Sequence, residues 1–282
     1  MSGVDPLERR LEPRSWGELS DAAGPREVCE GSDQWGPRHT YRESLMMRRL
    51  LPRMGAGRRV LNAGCGTGSL SLRLLDKGYE VTSLDASEPS VARLAARVRE
   101  LYGDSGPPVI VGDVCELPFA DAEFDAAFCG EVLEHLDDDR AAVGEIARVL
   151  RPGAPLVATV PANPWRYDWA DHWAGHRRRY TTEGFRELMR GAGLDRVEVI
   201  PWGFPLSGLY HRMVYERLVR RRLQSDVPGR LAQGGRSTRV LSRVVRAALE
   251  LDTLFLGRRP GYFGLLAIAH RPREEADGPP RR

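Results

Sequence analysis

The chain has 282 residues, a formal net charge of +3 and a hydrophobic content of 41%. That length suits one large α/β domain with additions, and the apolar content is that of a globular protein with a real core. No apolar run approaches the ~20 residues of a membrane-spanning helix. The start Met1-Ser2-Gly3-Val4-Asp5 lacks the basic-then-apolar pattern of a signal peptide, and no nucleic-acid-binding motif accompanies the charge. Cys29, Cys65, Cys115 and Cys129 have neither disulfide nor zinc spacing, which reads as reduced thiols in a cytoplasmic protein.

Residues 1–38 are rich in Gly, Pro and charge and predict an irregular N-terminal arm, with Trp16 and Trp35 as its packing points. A helix is expected over Thr40–Leu51. Its Tyr41 and Arg42 either reach a ligand carboxylate or simply solvate the helix start.

The stretch Val60-Leu61-Asn62-Ala63-Gly64-Cys65-Gly66-Thr67-Gly68 ends an apolar strand in three alternate glycines, and a helical apolar pattern follows from Leu70 to Leu75. Strand, glycine turn and helix bring a backbone close to a nucleotide-like ligand. A Cβ would hold that ligand away, and tight turns often need φ > 0. The first helical N–H groups favour an anionic group. The spacing is G-x-G-x-G; Ser69 stands where a dinucleotide fingerprint has its third glycine. Seventeen residues past Gly68, the strand Glu80–Leu84 ends in Asp85. A carboxylate there can accept from both hydroxyls of a ribose. Together they point to a nucleoside cofactor.

Ser87-Glu88-Pro89 opens a helix, Ser as cap and Pro in the first turn, with Val91, Leu94, Ala95, Val98 and Leu101 on one stripe. Val109-Ile110-Val111 is a buried parallel strand. After Gly112, the Asp113 carboxylate can accept from an adenine amine while the Val114 N–H donates to a ring nitrogen; otherwise Asp113 only caps the turn. Phe124–Cys129 is a fourth strand leading to Gly130-Glu131, and Glu134 and His135 follow it in an E-H-L string. Asp137-Asp138-Asp139 opens a helix, its acids suiting the macrodipole. Val143, Ile146, Ala147 and Leu150 form its buried face, and Arg151-Pro152-Gly153 stops it. Leu156–Val160 is the fifth strand.

Pro161–Tyr180 follows a strand's carboxyl end, where ligands bind in open α/β sheets. It carries Trp165, Tyr167, Trp169, Trp173 and Tyr180 among Asp168, Asp171, His172 and His176. The aromatics either wall a pocket or close the core. His172 and His176 are the candidate catalytic bases, each able to take a proton from an acceptor hydroxyl or amine. Asp168, His172 and His176 are spaced by four, which on one helix would suit a divalent metal. Gly175 and the dense aromatics argue against a regular helix there, and no metal site is expected.

Taken in order, V-L-N-A-G-C-G-T-G, L-D-A-S, G-D-V-C-E-L-P-F, F-D-A-A-F-C-G-E-V-L-E-H-L and V-L-R-P-G-A-P-L-V-A-T-V resemble the class I S-adenosylmethionine-dependent methyltransferases, over roughly residues 58–199. The motifs also resemble the branch that methylates ubiquinone and menaquinone precursors. The resemblance implies a doubly wound, Rossmann-like seven-stranded sheet of order 3-2-1-4-5-7-6; alternating strands and helices alone give only the α/β class. It implies S-adenosyl-L-methionine as cofactor, held by Asn62, Gly64, Gly66, Gly68, Asp85, Asp113, Val114 and Gly130. Asn62 stands where the family usually has Asp or Glu, and its amide oxygen can still accept.

Thr181-Thr182 caps a helix with Phe185, Leu188, Met189 and Ala192 buried, and Val197–Ile200 is the sixth strand. The seventh, Tyr262–Ala269, returns only after about sixty residues. That insertion predicts two helices, one over Leu206–Leu223 with Leu209, Tyr210, Met213, Val214 and Leu218 on a stripe. The other runs over Thr238–Leu256 with Leu241, Val244, Val245, Ala248, Leu251 and Phe255. Residues 211–259 hold 12 arginines against 4 acids, a charge that suits an acidic substrate, an anionic membrane or solvent alone.

The expected organisation is an arm over 1–38, a cofactor-binding domain over 39–204 and 260–271, an Arg-rich cap over 205–259 and a disordered tail over 272–282. The expected activity is methyl transfer to an oxygen or nitrogen of a small molecule, acidic or aromatic, in specialised metabolism. A prenylated quinone or lipid is the alternative acceptor, with peripheral membrane contact through 206–256. The rivals of another class are a nicotinamide oxidoreductase, against which Ser69 speaks, and a non-catalytic adaptor.

Overall fold

A computed structural model describes residues 37–215, 217, 244–257 and 262–273. The arm with Trp16 and Trp35, most of the two insertion helices and nearly all of the tail lie outside the described residues. No described helix is long and apolar enough to cross a membrane.

Seven strands form one sheet: β1 Arg59–Ala63, β2 Glu80–Asp85, β3 Val109–Val111, β4 Ala126–Gly130, β5 Pro155–Pro161, β6 Asp195–Trp202 and β7 Gly264–His270. Their order is β3-β2-β1-β4-β5-β7-β6, as expected. The first five are parallel, and β7 runs antiparallel between β5 and β6.

The period-2 alternation of a strand divides the core into two layers. Leu61, Ala63, Ala127, Cys129, Leu156, Ala158, Leu265 and Ala267 face one side. There they meet α4 (Asp139–Val149) and α6 (Thr182–Gly191) through Val143, Ile146, Phe185 and Met189. Val60, Ala126, Phe128, Val157, Leu266 and Ile268 face the other, against α1 (Pro37–Leu50) and α2 (Ser69–Leu75) through Leu45, Met46, Leu70 and Leu74. With both faces covered, β4 and β5 are almost wholly apolar, Thr159 being the one polar side chain between Ala126 and Gly130 or Pro155 and Pro161. The helix α3 (Glu88–Tyr102) is capped by the Ser87 side chain, which accepts from the Ser90 N–H, and packs Leu94 and Val98 against Cys65.

Three boundaries move. β4 starts at Ala126, because Phe124 makes only an isolated bridge to Leu150. β6 is longer than expected, since pairing with β7 holds it from Asp195 to Trp202. The first insertion helix is regular only over α7 (Leu206–Tyr210) and widens into a π-turn at His211–Tyr215. Its expected stripe is only partly buried: Leu209, Met213 and Val214 are exposed, while Tyr210, together with Leu206, packs on the core. In the second insertion helix, α8 (residues 244–250), Leu249 and Val245 pack inward, whereas Val244, Leu251 and Phe255 face out. The Asp252 carboxylate ties the two segments by accepting from the Leu206 and Ser207 N–H groups, both at 2.8 Å.

Candidate active site

Sheet order reverses between β1 and β4, and the carboxyl ends of the strands open there into a cavity of about 640 Å³. Asn62, Gly64, Gly66, Asp85, Asp113, Val114 and Gly130 all line it. Gly68 does not; it serves as the left-handed cap of α2 (φ +88°) against buried Leu94.

The glycine turn is held from below. Gly64 and Cys65 donate their N–H groups to Leu84 O, at 2.8 and 2.9 Å. The Gly66 N–H donates to Asp85 Oδ2 at 2.7 Å, and the other oxygen of Asp85 accepts from the Ser87 N–H at 2.9 Å. The carboxylate therefore fixes the turn, and the lone pairs it keeps can accept from a diol. A Cβ on Gly66 (φ +53°) would meet nothing within 4 Å. It would project into open cavity, so the bare backbone is a cradle that a side chain would fill.

Asn62 is buried, and its Nδ2 donates to Ser71 Oγ at 2.9 Å, which leaves Oδ1 as the end that accepts. Asp113 caps its turn, its carboxylate accepting from the Cys115 N–H at 2.8 Å, and it also lines the cavity.

Glu43 was not singled out from the sequence. It sits on the buried side of α1 and lines the cavity beside Asn62. Its carboxylate accepts from His39 Nε2 (2.9 Å), Ser69 Oγ (2.9 Å) and Arg73 Nη1 (3.0 Å). Burial pushes its pKa up, but His39, Arg42 and Arg73 outweigh that and hold it at about 2. The only signal was its place among Tyr41, Leu45 and Met46, where a charge on an apolar stripe has no packing reason. Of the two residues weighed at this helix start, Arg42 lines the cavity, whereas Tyr41 is buried against Trp202.

The far wall comes from the ends of β4 and β5. Glu131 is left-handed (φ +58°) and lies 3.4 Å from Arg42. The short helical turn Leu133–His135 buries Glu134 completely. Burial and the nearby Glu131 charge push the Glu134 carboxyl well above its usual range. His135 Nδ1 donates to Gly175 O at 3.1 Å.

The segment after β5 decides between alternatives that its sequence left open. None of its described aromatics lines the cavity: Trp165 is exposed, Tyr180 is buried with its hydroxyl on Asp139, and Tyr167 donates to His176 O. The two histidines part. His172 is exposed, edge-on to Tyr167, and does not line the cavity; His176 does. Asp168, His172 and His176 do not share a face. The helix α5 (Trp169–Ala174) is six residues long, with Asp168 spent as its cap, and Gly175 (φ +75°) turns the chain before His176. His176 is instead fixed by Asp171, whose carboxylate accepts from its Nδ1 at 2.7 Å and from Arg179 Nε at 2.8 Å. Burial pushes the Asp171 pKa up, but the bonds from His176 and Arg179 outweigh it and hold it at about 2.

Described residues of α1, the insertion and the approach to β7 also line the cavity. Arg38 stacks 4.0 Å over the Phe263 ring and donates to His211 Nδ1 at 3.1 Å, and all three line the cavity. Burial and Arg38 hold His211 neutral, with a pKa of about 2.

Residues 61–158 match a protein family described as "Methyltransferase domain". A probable S-adenosylmethionine-dependent methyltransferase of Mycolicibacterium smegmatis is 37% identical over 158 residues, 55% of this chain and 58% of that protein. The ubiquinone biosynthesis O-methyltransferase of Alkalilimnicola ehrlichii is 34% identical over 149 residues, 50% of this chain and 58% of that one. Thus the chain spans little more than half the length of either relative. Among solved structures, a phosphoethanolamine N-methyltransferase of Haemonchus contortus with S-adenosylhomocysteine bound superposes with a TM-score of 0.66 at 19% identity. The match covers 92% of this chain and 61% of that one, and it shows the shared fold.

Proposed function

We propose that this chain, which carries a class I S-adenosylmethionine-dependent methyltransferase domain, transfers a methyl group from S-adenosyl-L-methionine to an oxygen or nitrogen of a small molecule. The observation that carries this reading is one continuous cavity. It has a side-chain-free cradle at Gly66 and carboxylates at Asp85 and Asp113 on one side, and the Glu131–His135–His176 wall on the other.

The residues fit the cofactor. Asp85 meets the ribose, Asp113 and the Val114 N–H meet the adenine, and Asn62 Oδ1 with Glu43 meets the ammonium end. When bound, the sulfonium supplies an already electrophilic methyl. The protein's task is then to hold donor and nucleophile in line and to exclude water, which is a proximity effect. Arg38, His211 and Phe263 also line the cavity. His176 is the histidine that faces the acceptor, its ring locked by Asp171, and the acceptor's proton leaves at this wall.

A second acceptor class, a prenylated quinone or lipid, is supported by the exposed Leu209, Val244, Leu251, Leu254 and Phe255 on the insertion, which would suit an apolar tail. We place the enzyme in the cytoplasm, consistent with the free thiols of Cys65, Cys115 and Cys129, and in specialised metabolism.

The test is formation of S-adenosylhomocysteine, read by mass spectrometry against a panel of hydroxylated and amino acceptors. The wild-type chain is expected to turn over, His176→Ala to lose at least about 100-fold in rate, and His172→Ala to change little. Equal losses for the two variants would remove His176 from the site, and no turnover with any acceptor would favour a non-catalytic adaptor.

A further inference from the structure

Glu134 is fully buried, and neither of its carboxylate oxygens has a hydrogen-bond partner among the described residues. An isolated buried carboxylate is costly and is ordinarily paired or bound to a metal. Here it faces two imidazoles. One ligand-type atom from each of Glu134, His135 and His176 lies within 4.8 Å of the others, and His176 Nε2 is 4.0 Å from Glu134 Oε1.

The two rings are oriented alike. His135 donates through Nδ1 to Gly175 O, and His176 donates through Nδ1 to Asp171. A carbonyl oxygen and an ionised carboxylate can only accept, so both rings carry the proton on Nδ1 and the lone pair on Nε2. That tautomer, fixed by an outer acceptor, is the one a metal-binding histidine uses. Glu131 lines the cavity two residues before the Leu133–His135 turn. Its Oε1 is buried and unpartnered, and its left-handed backbone is a conformation that non-glycine residues keep mainly where the side chain's aim matters.

We infer that Glu134, His135 and His176 bind a divalent cation at the acceptor end of the cavity, and that the acceptor oxygen completes its coordination. The binding is independent of the methyl-transfer reading; the role given to the cation rests on it. Mixed imidazole and carboxylate donors suit Mn²⁺, Fe²⁺, Zn²⁺ or Mg²⁺. Coordination bonds of about 2.1 Å place ligand atoms about 3.4 Å apart, so the cluster closes by roughly 1 Å on binding. A cation here offsets the buried Glu134 carboxylate and lowers the proton affinity of a hydroxyl bound to it. The hydroxyl proton then leaves to solvent water. The oxygen's lone pair forms the O–CH3 bond as the S–CH3 bond breaks, and that electron pair stays on sulfur.

The test uses the full chain, freed of metal with a chelator and titrated with Mn²⁺ by calorimetry and electron paramagnetic resonance, without cofactor or acceptor. One Mn²⁺ per chain is expected with micromolar affinity. Glu134→Gln and His176→Asn should each weaken it by at least about tenfold, while exposed Glu183→Gln leaves it unchanged. A readout needing no variant is nitrogen coupling from two imidazoles on the bound Mn²⁺. Absence of binding, or binding without nitrogen coupling, overturns the site. Tight binding with no turnover of S-adenosylmethionine would instead leave the site standing and fault the methyl-transfer reading.

Discussion

Asp85→Ala is expected to weaken binding of S-adenosylmethionine by about 100-fold or more, measured by calorimetry on folded protein. The proposed contact to the ribose diol comprises two charge-assisted hydrogen bonds, each contributing about 1.5–3 kcal/mol. The structure adds a second cause. Asp85 also receives the Gly66 N–H at 2.7 Å, so its loss releases the cradle. Asp85→Asn separates the two effects. The amide oxygen can still take the Gly66 N–H, while its NH2 gives up the Ser87 N–H bond and the charge on the ribose side is gone, so a loss intermediate between wild type and Ala is expected. An unchanged affinity in both variants would remove Asp85 from the cofactor site.

The glycines of the turn are expected to fail in opposite ways. Gly68→Ala would place a Cβ 2.2 Å from Leu94 Cδ1 in the buried layer under α3, at a φ of +88°. The left-handed backbone costs about 1–2 kcal/mol and the overpacking about 1–3 kcal/mol. A fall in the thermal midpoint of roughly 5–15 °C follows. Gly66→Ala meets nothing within 4 Å, so it carries only the backbone cost, a fall of about 2–8 °C. Its methyl group occupies the cradle, and cofactor affinity should drop by at least about tenfold, the larger of its two effects. Differential scanning fluorimetry and calorimetry on the two variants give the contrast. A Gly66→Ala protein that binds the cofactor like the wild type would mean the cradle lies elsewhere.

The proposed cofactor half of the site was legible as a glycine turn and an acid at the sheet's carboxyl edge because its determinants are local. A glycine turn and a strand-end acid are set by a few consecutive residues, and Gly64, Gly66 and Asp85 sit where their spacing placed them. The acceptor half depends on contacts across the fold. Asp168, His172 and His176 look equivalent at a spacing of four, yet the helix stops at Ala174 and Gly175 swings only His176 to the cavity. Glu43 and Glu134 gave little local sign: one sits on an apolar helix stripe and the other in an E-H-L string, and only tertiary packing buries them, Glu43 at the cavity and Glu134 within the Leu133–His135 turn. Periodicity assigned the insertion only in part. Of its expected stripes, Tyr210 and Val245 pack on the core, whereas Leu209, Met213, Val214, Val244 and Leu251 are exposed, and Leu249, outside the stripe, is buried. Sheet order, likewise, came from resemblance, since strand pairing such as β7 between β5 and β6 leaves no mark in a single sequence.

The most direct measurement is a calorimetric titration of the purified chain with S-adenosylmethionine and, separately, with NAD and NADP. The account predicts one S-adenosylmethionine per chain at micromolar affinity and no heat from either dinucleotide. Binding of a dinucleotide with none of S-adenosylmethionine would contradict it.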